Sequence, residues 1–296
     1  MTAQPLAGCG TALVTPFTSA GALDERALRA LVDWQIAAGV HFLVPCGSTG
    51  EAATLTPAEH RRAVEVVVEA ARGRVPVVAG AGSNDTRRAI EMSRDMAAAG
   101  ATHLLHVSPM YNRPPQRGIF AHFQAIADAS ELPIVVYNVP GRTASNVEAR
   151  TTLALAEVRG IVGVKEASGS MTQILEILRE RPPGFCVLSG DDAVTLPLMA
   201  AGADGVVSVV SNVAPATMAE LCDRARAGDL AAAQAAHERL LPLMSAAFVE
   251  SNPIPIKAAL AALGRIENVL RLPLVPLDER HAGALRDAVA AAGERG

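Results

Sequence analysis

The fold is decided by the stretch Ile134-Val135-Val136-Tyr137 and by its counterpart further along, Ile161-Val162-Gly163-Val164-Lys165. Each is a short run of β-branched and apolar residues, which is typical of a buried parallel strand. Runs of this kind alternate along the chain with stretches that have the apolar spacing of a helix. Alternation of this kind predicts βαβ units, in which successive strands lie parallel.

Eight such runs occur, at a period of about 30 residues, and together they predict a closed (β/α)₈ barrel. The main alternative is an open, doubly wound sheet. The predicted strands are Thr11–Thr15, His41–Pro45, Val75–Ala79, His103–Ser108, Ile134–Tyr137, Ile161–Lys165, Phe185–Ser189 and Gly205–Val209. Predicted helices between them include Glu25–Ala38, Pro57–Arg72, Thr86–Ala99 and Gly118–Ser130.

Strand signals disappear from about Ala216 onward, and Ala-rich helical segments follow. We therefore expect two units, a catalytic barrel over residues 1–224 and a helical C-terminal domain over residues 225–296. No low-complexity linker separates them, so the extension is expected to pack against the barrel. Its predicted helices lie around Met218–Arg226, Leu230–Phe248, Ile256–Leu263 and Glu279–Ala292.

The composition of the 296 residues excludes several classes of function. A net charge of −4 and scattered basic residues give no electrostatic footprint for nucleic acid. Every long apolar stretch is interrupted before the roughly 20 residues that a membrane span requires, so we expect no membrane partner. The 4 cysteines are widely spaced and form no CxxC pair, which favours a reducing, cytoplasmic location.

Two residue types are scarce, and their positions are informative. Lys and Arg together number 26, but only Lys165 and Lys257 are lysines, and Tyr111 and Tyr137 are the 2 tyrosines. In an arginine-biased chain, a lysine is best retained where a deprotonatable amine is needed, although chance retention is the simpler reading. Both lysines are therefore candidates for a nucleophile.

Lys165 ends a predicted strand and should point into the barrel. Side chains alternate along a strand, so Lys165 should share a face with Ile161 and Gly163, while Glu166 points the other way. Burial of an ammonium group lowers its pKa, and the free amine that results is a Schiff-base nucleophile for a carbonyl substrate. The alternative is a structural lysine that is paired with a carboxylate such as Asp191.

Other polar residues follow the ends of neighbouring predicted strands, where barrel enzymes carry their active sites. Gly47-Ser48-Thr49-Gly50 presents backbone N–H groups and hydroxyls that suit a small carboxylate, although such a sequence is also an ordinary turn. Tyr137 should enter the lumen and could exchange protons there. Gly80-Ala81-Gly82 lacks the third glycine of a dinucleotide fingerprint, and the histidines are scattered, so we expect no nucleotide cofactor and no metal.

These motifs, taken together, resemble the 4-hydroxy-tetrahydrodipicolinate synthases, which belong to the pyruvate-dependent class I aldolase superfamily. The resemblance runs in order from about Thr11 to beyond Pro276. It is carried by Gly47-Ser48-Thr49-Gly50-Glu51, Tyr111-Asn112-Arg113-Pro114, Tyr137-Asn138-Val139-Pro140-Gly141-Arg142-Thr143, Val164-Lys165-Glu166-Ala167, Ser189-Gly190-Asp191-Asp192, Asn252-Pro253-Ile254-Pro255-Ile256-Lys257 and Leu270-Arg271-Leu272-Pro273.

The resemblance implies a role for each candidate residue. Lys165 would form the Schiff base with pyruvate, and Tyr137 would donate and accept protons. Ser48, where the family commonly has threonine, and Tyr111 from a neighbouring subunit would complete the proton relay. The substrate-binding residues would be Thr49, Gly190 and Val207, the last through its backbone, together with Arg142 for the carboxylate of L-aspartate 4-semialdehyde.

The resemblance also implies a homotetramer built from two tight dimers, with no metal or organic cofactor. Lys257 would then be structural and far from the barrel mouth. One alternative is a lyase or aldolase for a sugar-derived 2-oxo acid, and another is a catalytically silent barrel that binds a 2-oxo acid. We expect no feedback inhibition by lysine, because the positions that bind it in sensitive family members here carry Ala52, Pro57, His60, Asn84, Arg88 and Met110.

Overall fold

Eight strands form in residues 6–293, which are the residues that the computed structural model describes. The strands are β1 Gly8–Ala12, β2 Phe42–Val44, β3 Val78–Gly80, β4 His103–Val107, β5 Ile134–Asn138, β6 Ile161–Glu166, β7 Cys186–Ser189 and β8 Gly205–Ser208. All are paired in parallel, in the order β2-β1-β8-β7-β6-β5-β4-β3.

The two ends of this sheet meet, so the sheet is a closed barrel. The backbone N–H of Leu43 in β2 donates to the carbonyl of Pro76, just before β3, at 3.0 Å. The N–H of Gly80 in β3 donates to the carbonyl of Pro45 at 3.0 Å. The predicted (β/α)₈ fold is confirmed, and the open doubly wound sheet is excluded.

Helices follow the strands and cover the outside of the barrel. They are α1 Glu25–Ala37, α2 Pro57–Ala71, α3 Thr86–Ala98, α4 Gln116–Ala129, α5 Pro140–Thr143, α6 Ala149–Ala156, α7 Met171–Glu180, α8 Thr195–Ala200 and α9 Pro215–Arg226. Local capping explains several of their starts. In α2, for example, Thr56 and Glu59 form a reciprocal capping box around Pro57. The four helices predicted between strands are confirmed to within two residues at each end.

The first strand lies earlier in the chain than predicted. We expected Thr11–Thr15, whereas β1 covers Gly8–Ala12. In the sequence, Gly8 and Gly10 look like turn residues. In the structure, the missing side chain of Gly10 allows close packing, because a Cβ atom there would lie 1.9 Å from the ring of Phe42. An apolar run alone therefore misplaces this strand.

Alternation along β6 also fails at its first residue. Ile161 packs among the core residues between the sheet and the helices, and does not share the lumen face with Lys165 as expected. The register with β5 shifts between Ile134 and Val135, so a bulge separates Ile161 from the rest of the strand. From Gly163 to Lys165 the expected alternation holds.

The chain continues after α9 into three further helices, α10 Leu230–Ala246, α11 Ile254–Ala262 and α12 Glu279–Ala291. The expected domain boundary at 224/225 falls inside α9, and the division into two units stays a prediction. The extension packs back onto the barrel, because α10 lies against both α9 and α12. None of the helices in residues 6–293 has the length and apolar character that crossing a membrane requires.

Three histidines are buried in and beside β4. Burial lowers the pKa of His103 to about 4, of His106 to about 3 and of His122 to about 4. His106 Nε2 lies 3.1 Å from Ser93 Oγ, and His122 Nδ1 lies 2.9 Å from Thr86 Oγ1. All three rings are neutral in the folded protein near pH 7.

We predict that the free energy of unfolding falls as the pH drops below about 6.5, the usual pKa of histidine. In that range the unfolded chain binds protons at these rings and the folded chain does not, so acid favours unfolding. Each buried ring contributes about 1.4 kcal/mol per pH unit until its folded pKa is reached. Urea unfolding between pH 7 and pH 5 measures this slope.

His106→Gln provides the control, because it removes one titrating ring and retains a polar group toward Ser93. The slope should decrease by about 1.4 kcal/mol per pH unit relative to the parent protein. Equal slopes in the two proteins would contradict the assignment of His106.

Candidate active site

A cavity of about 370 Å³ opens at the carboxyl end of the strands. It brings together six of the residues that sequence analysis proposed, from the ends of different strands. These six are Ser48, Thr49, Tyr137, Arg142, Lys165 and Gly190. Helix α10 and the segment after it cover the mouth through Met244, Ser245 and Phe248.

Lys165 and Tyr137 lie side by side in this cavity. The two residues are register partners on β6 and β5, and Lys165 Nζ lies 4.1 Å from the centroid of the tyrosine ring. Burial lowers the pKa of Lys165 to about 8 and raises the pKa of Tyr137 to about 12. Near neutral pH the cavity therefore holds an amine that loses its proton readily beside a phenol that keeps its own.

Carboxylates near Lys165 have other hydrogen-bond partners. Asp191 accepts from the backbone N–H of Ala193 at 3.0 Å, and Glu166 accepts from the side chain of Asn138 on the opposite face of the sheet. Within residues 6–293, no carboxylate oxygen lies within 4.0 Å of Lys165 Nζ, so the Asp191 ion pair is not formed. The nearby charge of Asp192 opposes the downward shift in the pKa of Lys165 without cancelling it.

The loop after β2 is a tight turn that presents hydroxyls to the cavity. The N–H of Gly50 donates to the carbonyl of Gly47 at 3.0 Å, and that of Glu51 donates to the carbonyl of Ser48 at 3.2 Å. Ser48 is exposed to the cavity, whereas Thr49 is buried. The loop thus offers one free hydroxyl and one held in place.

Arg142 supplies the positive charge at the edge of the cavity. It lies on the single-turn helix α5 and is exposed to solvent. Its charge lowers the pKa of both Lys165 and Tyr137, which indicates that the guanidinium faces the same space. No carboxylate in the described part of the chain forms an ion pair with it, so it remains available to an anionic ligand.

Gly190 is required by its close approach to the lysine. A Cβ atom there would lie 3.0 Å from Lys165 Cε and 2.7 Å from the Cβ of Ala167. The shorter contact forces the backbone at Ala167, two residues after Lys165, to shift, and the longer one presses on the flexible stem of Lys165.

We predict that Gly190→Ala lowers turnover by about 100-fold, because Lys165 is the candidate nucleophile and a displacement of about 1 Å at a reacting group has an effect of this size. Steady-state kinetics with the purified protein would measure the loss. Gly141→Ala is the matched control, since a Cβ atom there meets no atom within 4 Å. Full activity of Gly190→Ala would show that Lys165 does not depend on the absence of a side chain at position 190.

Two proposed residues lie outside this cavity. Tyr111 is 89% exposed on the surface of this chain, with a left-handed backbone at φ 70°. Val207 is buried in the lumen on β8, as a register partner of Gly10. Their proposed roles are therefore not tested by the single chain.

The second lysine is closer to the site than expected. Lys257 Nζ donates to Glu51 Oε1 at 2.6 Å, and Glu51 ends the Gly47–Glu51 loop. The expectation that Lys257 lies far from the mouth is wrong, because α11 packs back over the carboxyl end of the barrel. Lys257 is ion-paired, whereas Lys165 has no carboxylate oxygen within 4.0 Å in residues 6–293.

Sequence reasoning assigned no role to Asn252, which also lines the cavity. Its side-chain Nδ2 donates to Thr49 Oγ1 at 2.8 Å, and its Oδ1 is buried without a partner in the described residues. Asn252 is the first residue of the Asn252–Lys257 motif, and its place in that motif was the feature of the sequence that could have identified it as a site residue.

A second, wider cavity of about 580 Å³ adjoins the first and shares Ser48, Tyr137 and Arg142 with it. It is also lined by five of the six positions from which we expect no feedback inhibition by lysine. That expectation stays a prediction. The five positions are Ala52, Pro57, His60, Arg88 and Met110. Within residues 6–293, no group of three or more His, Cys, Asp or Glu side chains is arranged to hold a metal ion.

The fold and the cavity define a class, the (β/α)₈ barrels that carry a desolvated lysine at the carboxyl end of the strands. Within that class, the chain belongs to the dihydrodipicolinate synthetase family, whose model matches residues 5–292.

Individual relatives agree with this membership. The 4-hydroxy-tetrahydrodipicolinate synthase of Koribacter versatilis is 50% identical over 289 residues, which cover 97% of this chain and 96% of that protein. The chloride-inhibited dihydrodipicolinate synthase of Acinetobacter baumannii, solved with pyruvate, is 41% identical with a TM-score of 0.95 over 97% of this chain and 99% of that chain. The Cyanidioschyzon merolae enzyme with lysine bound is 42% identical with a TM-score of 0.94, covering 97% and 98% of the two chains.

Proposed function

We propose that this chain is a 4-hydroxy-tetrahydrodipicolinate synthase, which condenses pyruvate with L-aspartate 4-semialdehyde through a Schiff base on Lys165. One observation carries the proposal most strongly. The amine of Lys165 is buried beside Tyr137 with its pKa lowered to about 8, and no carboxylate among residues 6–293 is paired to it. An amine in this state attacks carbonyl carbon.

In the first step, Lys165 Nζ adds to C2 of pyruvate, and the carbonyl oxygen takes up a proton to give a carbinolamine. Loss of that oxygen as water leaves the imine. Tyr137 is suited to supply and recover these protons, because its pKa of about 12 keeps the phenol protonated until it is needed. Ser48 and the partner-borne Tyr111 are proposed to complete the relay.

The imine then loses a proton from C3 to give an enamine, and this carbon attacks the aldehyde of the second substrate. The amino group of that substrate closes the ring onto C2 and releases Lys165 as the free amine. Thr49, Gly190 and the backbone of Val207 are proposed to hold pyruvate, and Arg142 to bind the carboxylate of the semialdehyde. A guanidinium suits this task because its planar fork makes two hydrogen bonds to one carboxylate.

Borohydride added together with pyruvate should inactivate the protein and leave a reduced adduct on Lys165. Lys165→Arg should abolish the adduct, because a guanidinium stays protonated and cannot attack the carbonyl. Peptide mapping by mass spectrometry locates the adduct, and the chain contains only one other lysine, Lys257, from which it must be distinguished.

Treatment with borohydride alone is the control and should leave activity unchanged. An adduct on Lys257, or inactivation that does not require pyruvate, would contradict the assignment of Lys165.

Arg142→Ala should lower kcat/KM for the semialdehyde by about 10- to 100-fold, the range expected on loss of charge-assisted hydrogen bonds. Formation of the pyruvate adduct should continue, because its chemistry does not use this guanidinium. A coupled assay with varied semialdehyde and a borohydride trap with pyruvate measure the two effects separately.

Arg150→Ala serves as the matched control, since Arg150 is an exposed arginine on α6, outside the lining of the cavity. Unchanged kinetics for Arg142→Ala would instead favour a lyase for a sugar-derived 2-oxo acid, and N-acetylmannosamine would then be tested as the second substrate.

We further propose a homotetramer of two tight dimers, in which Tyr111 enters the site of the adjoining subunit. The exposure of this aromatic side chain supports the proposal, because a tyrosine that is 89% exposed leaves a large apolar ring in water. Leu272, which is 78% exposed, is a second candidate for burial between subunits.

Mixing inactive Tyr111→Phe and Lys165→Ala subunits should restore activity, because some sites then receive an intact lysine and an intact tyrosine. Native mass spectrometry verifies that mixed oligomers form, and the activity of the mixture is compared with that of each variant alone. Verified mixed oligomers with no recovered activity would show that each site uses its own Tyr111.

A further inference from the structure

The Gly47–Glu51 loop lies between two residues in an unfavourable backbone conformation. Cys46, just before it, has φ 56°, and Glu51, at its end, has φ 52°. Residues other than glycine rarely adopt this left-handed region, and they remain there only where surrounding contacts hold them. The loop that presents Ser48 and Thr49 is therefore not held by its own backbone preferences.

Contacts from the C-terminal extension hold the end of the loop. Lys257 Nζ donates to Glu51 Oε1 at 2.6 Å and to the carbonyl of Thr15 at 2.9 Å. Thr15 in turn donates its hydroxyl to the carbonyl of Gly50 at 2.7 Å. Lys257 thus touches the loop directly through Glu51 and indirectly through Thr15.

Two further residues of the extension reach the same loop. The backbone N–H of Arg271 donates to Glu51 Oε2 at 3.1 Å, so both carboxylate oxygens of Glu51 are occupied. Asn252 Nδ2 donates to Thr49 Oγ1 at 2.8 Å. We name Asn252, Lys257 and Arg271 the C-terminal clamp.

The ion pair at the centre of this clamp is fully desolvated. The side chains of Lys257 and Glu51 are both 0% exposed, and Lys257 Nζ also lies 4.3 Å from the ring centroid of Phe17. A buried ion pair often stabilises a protein no more than two apolar residues of the same size would. Loss of one partner, however, leaves the other as a buried charge without compensation. Removal of either partner is therefore expected to disturb the backbone around Glu51.

We propose that the C-terminal clamp holds the Gly47–Glu51 loop in the conformation that binds the carboxylate of pyruvate, and that Lys257 is thereby a positioning residue. Lys257 acts through Glu51 and does not touch the substrate. The inference rests on the proposed function for its substrate, whereas the order of the loop can be measured without any substrate.

The test compares the full-length parent protein with Lys257→Met, which keeps an unbranched side chain one atom shorter and removes the charge. Hydrogen exchange of the peptide spanning residues 46–52, followed by mass spectrometry, should be at least 10-fold faster in the variant. In steady-state assays kcat/KM for pyruvate should fall at least 10-fold, with a higher KM for pyruvate.

Leu260→Ala is the matched control, since Leu260 lies on the same helix, is 0% exposed and belongs to the core rather than to the clamp. This variant loosens the packing of α11, yet exchange in residues 46–52 and kcat/KM for pyruvate should stay within twofold of the parent values. Equal losses in Leu260→Ala and Lys257→Met would overturn the proposal, because α11 would then act only as general support.

Glu51→Gln carries the same test if Lys257→Met does not fold, because the amide keeps the size of the side chain and an acceptor for the N–H of Arg271. Folded protein from either variant with exchange and kinetics within twofold of the parent overturns the proposal. A parent protein that is inactive with pyruvate and the semialdehyde would refute the proposed function instead, and the exchange measurement would still decide whether the clamp orders the loop.

Discussion

Closure of the parallel sheet is the constraint on which the rest of the structure depends. The hydrogen bonds from Leu43 to Pro76 and from Gly80 to Pro45 join the two ends of the sheet, and its inward side chains pack against one another in the lumen. An ionisable group on that face is therefore desolvated, even near the end of the barrel where the cavity opens. Lys165 and Tyr137 lie near the carboxyl end. Burial lowers the pKa of the lysine and raises the pKa of the tyrosine, and both shifts favour the neutral form of the group. The shifted pKa values of the two groups are thus a consequence of the barrel.

The pleat of β6 then keeps the amine free of a counter-ion. Glu166 follows Lys165 directly in the chain and points outward, where it accepts hydrogen bonds from Asn138 at 3.2 Å, Gln173 at 3.0 Å and the backbone of Ser168 at 2.7 Å. These partners satisfy the carboxylate on the helix side of the sheet. The same alternation that brings the lysine into the lumen therefore directs the carboxylate that follows it in the chain away from it.

Local spacing predicts the parts of this molecule that depend on local physics. The eight strands, the helix starts and the inward direction of Lys165 all follow from periodicity, capping and alternation. Prediction fails where packing overrides the pattern, as for the glycines of β1 beside Phe42 and for the bulge after Ile161. It also fails for contacts between distant segments. Lys257 and Glu51 are 206 residues apart in the chain, and no periodicity relates them.

Because of these long-range contacts, the barrel alone does not form the whole candidate site. The barrel supplies the lysine, the tyrosine and the loop after β2, but the extension supplies Asn252 at Thr49 and Phe248 at the cavity wall. It also supplies Arg271, whose guanidinium donates to Glu59 Oε1 at 2.5 Å at the start of α2 and to the carbonyl of Thr54 at 3.0 Å. A barrel without these residues would retain Lys165 but would lose the contacts that hold the Gly47–Glu51 loop. The extension therefore forms one wall of the candidate active site.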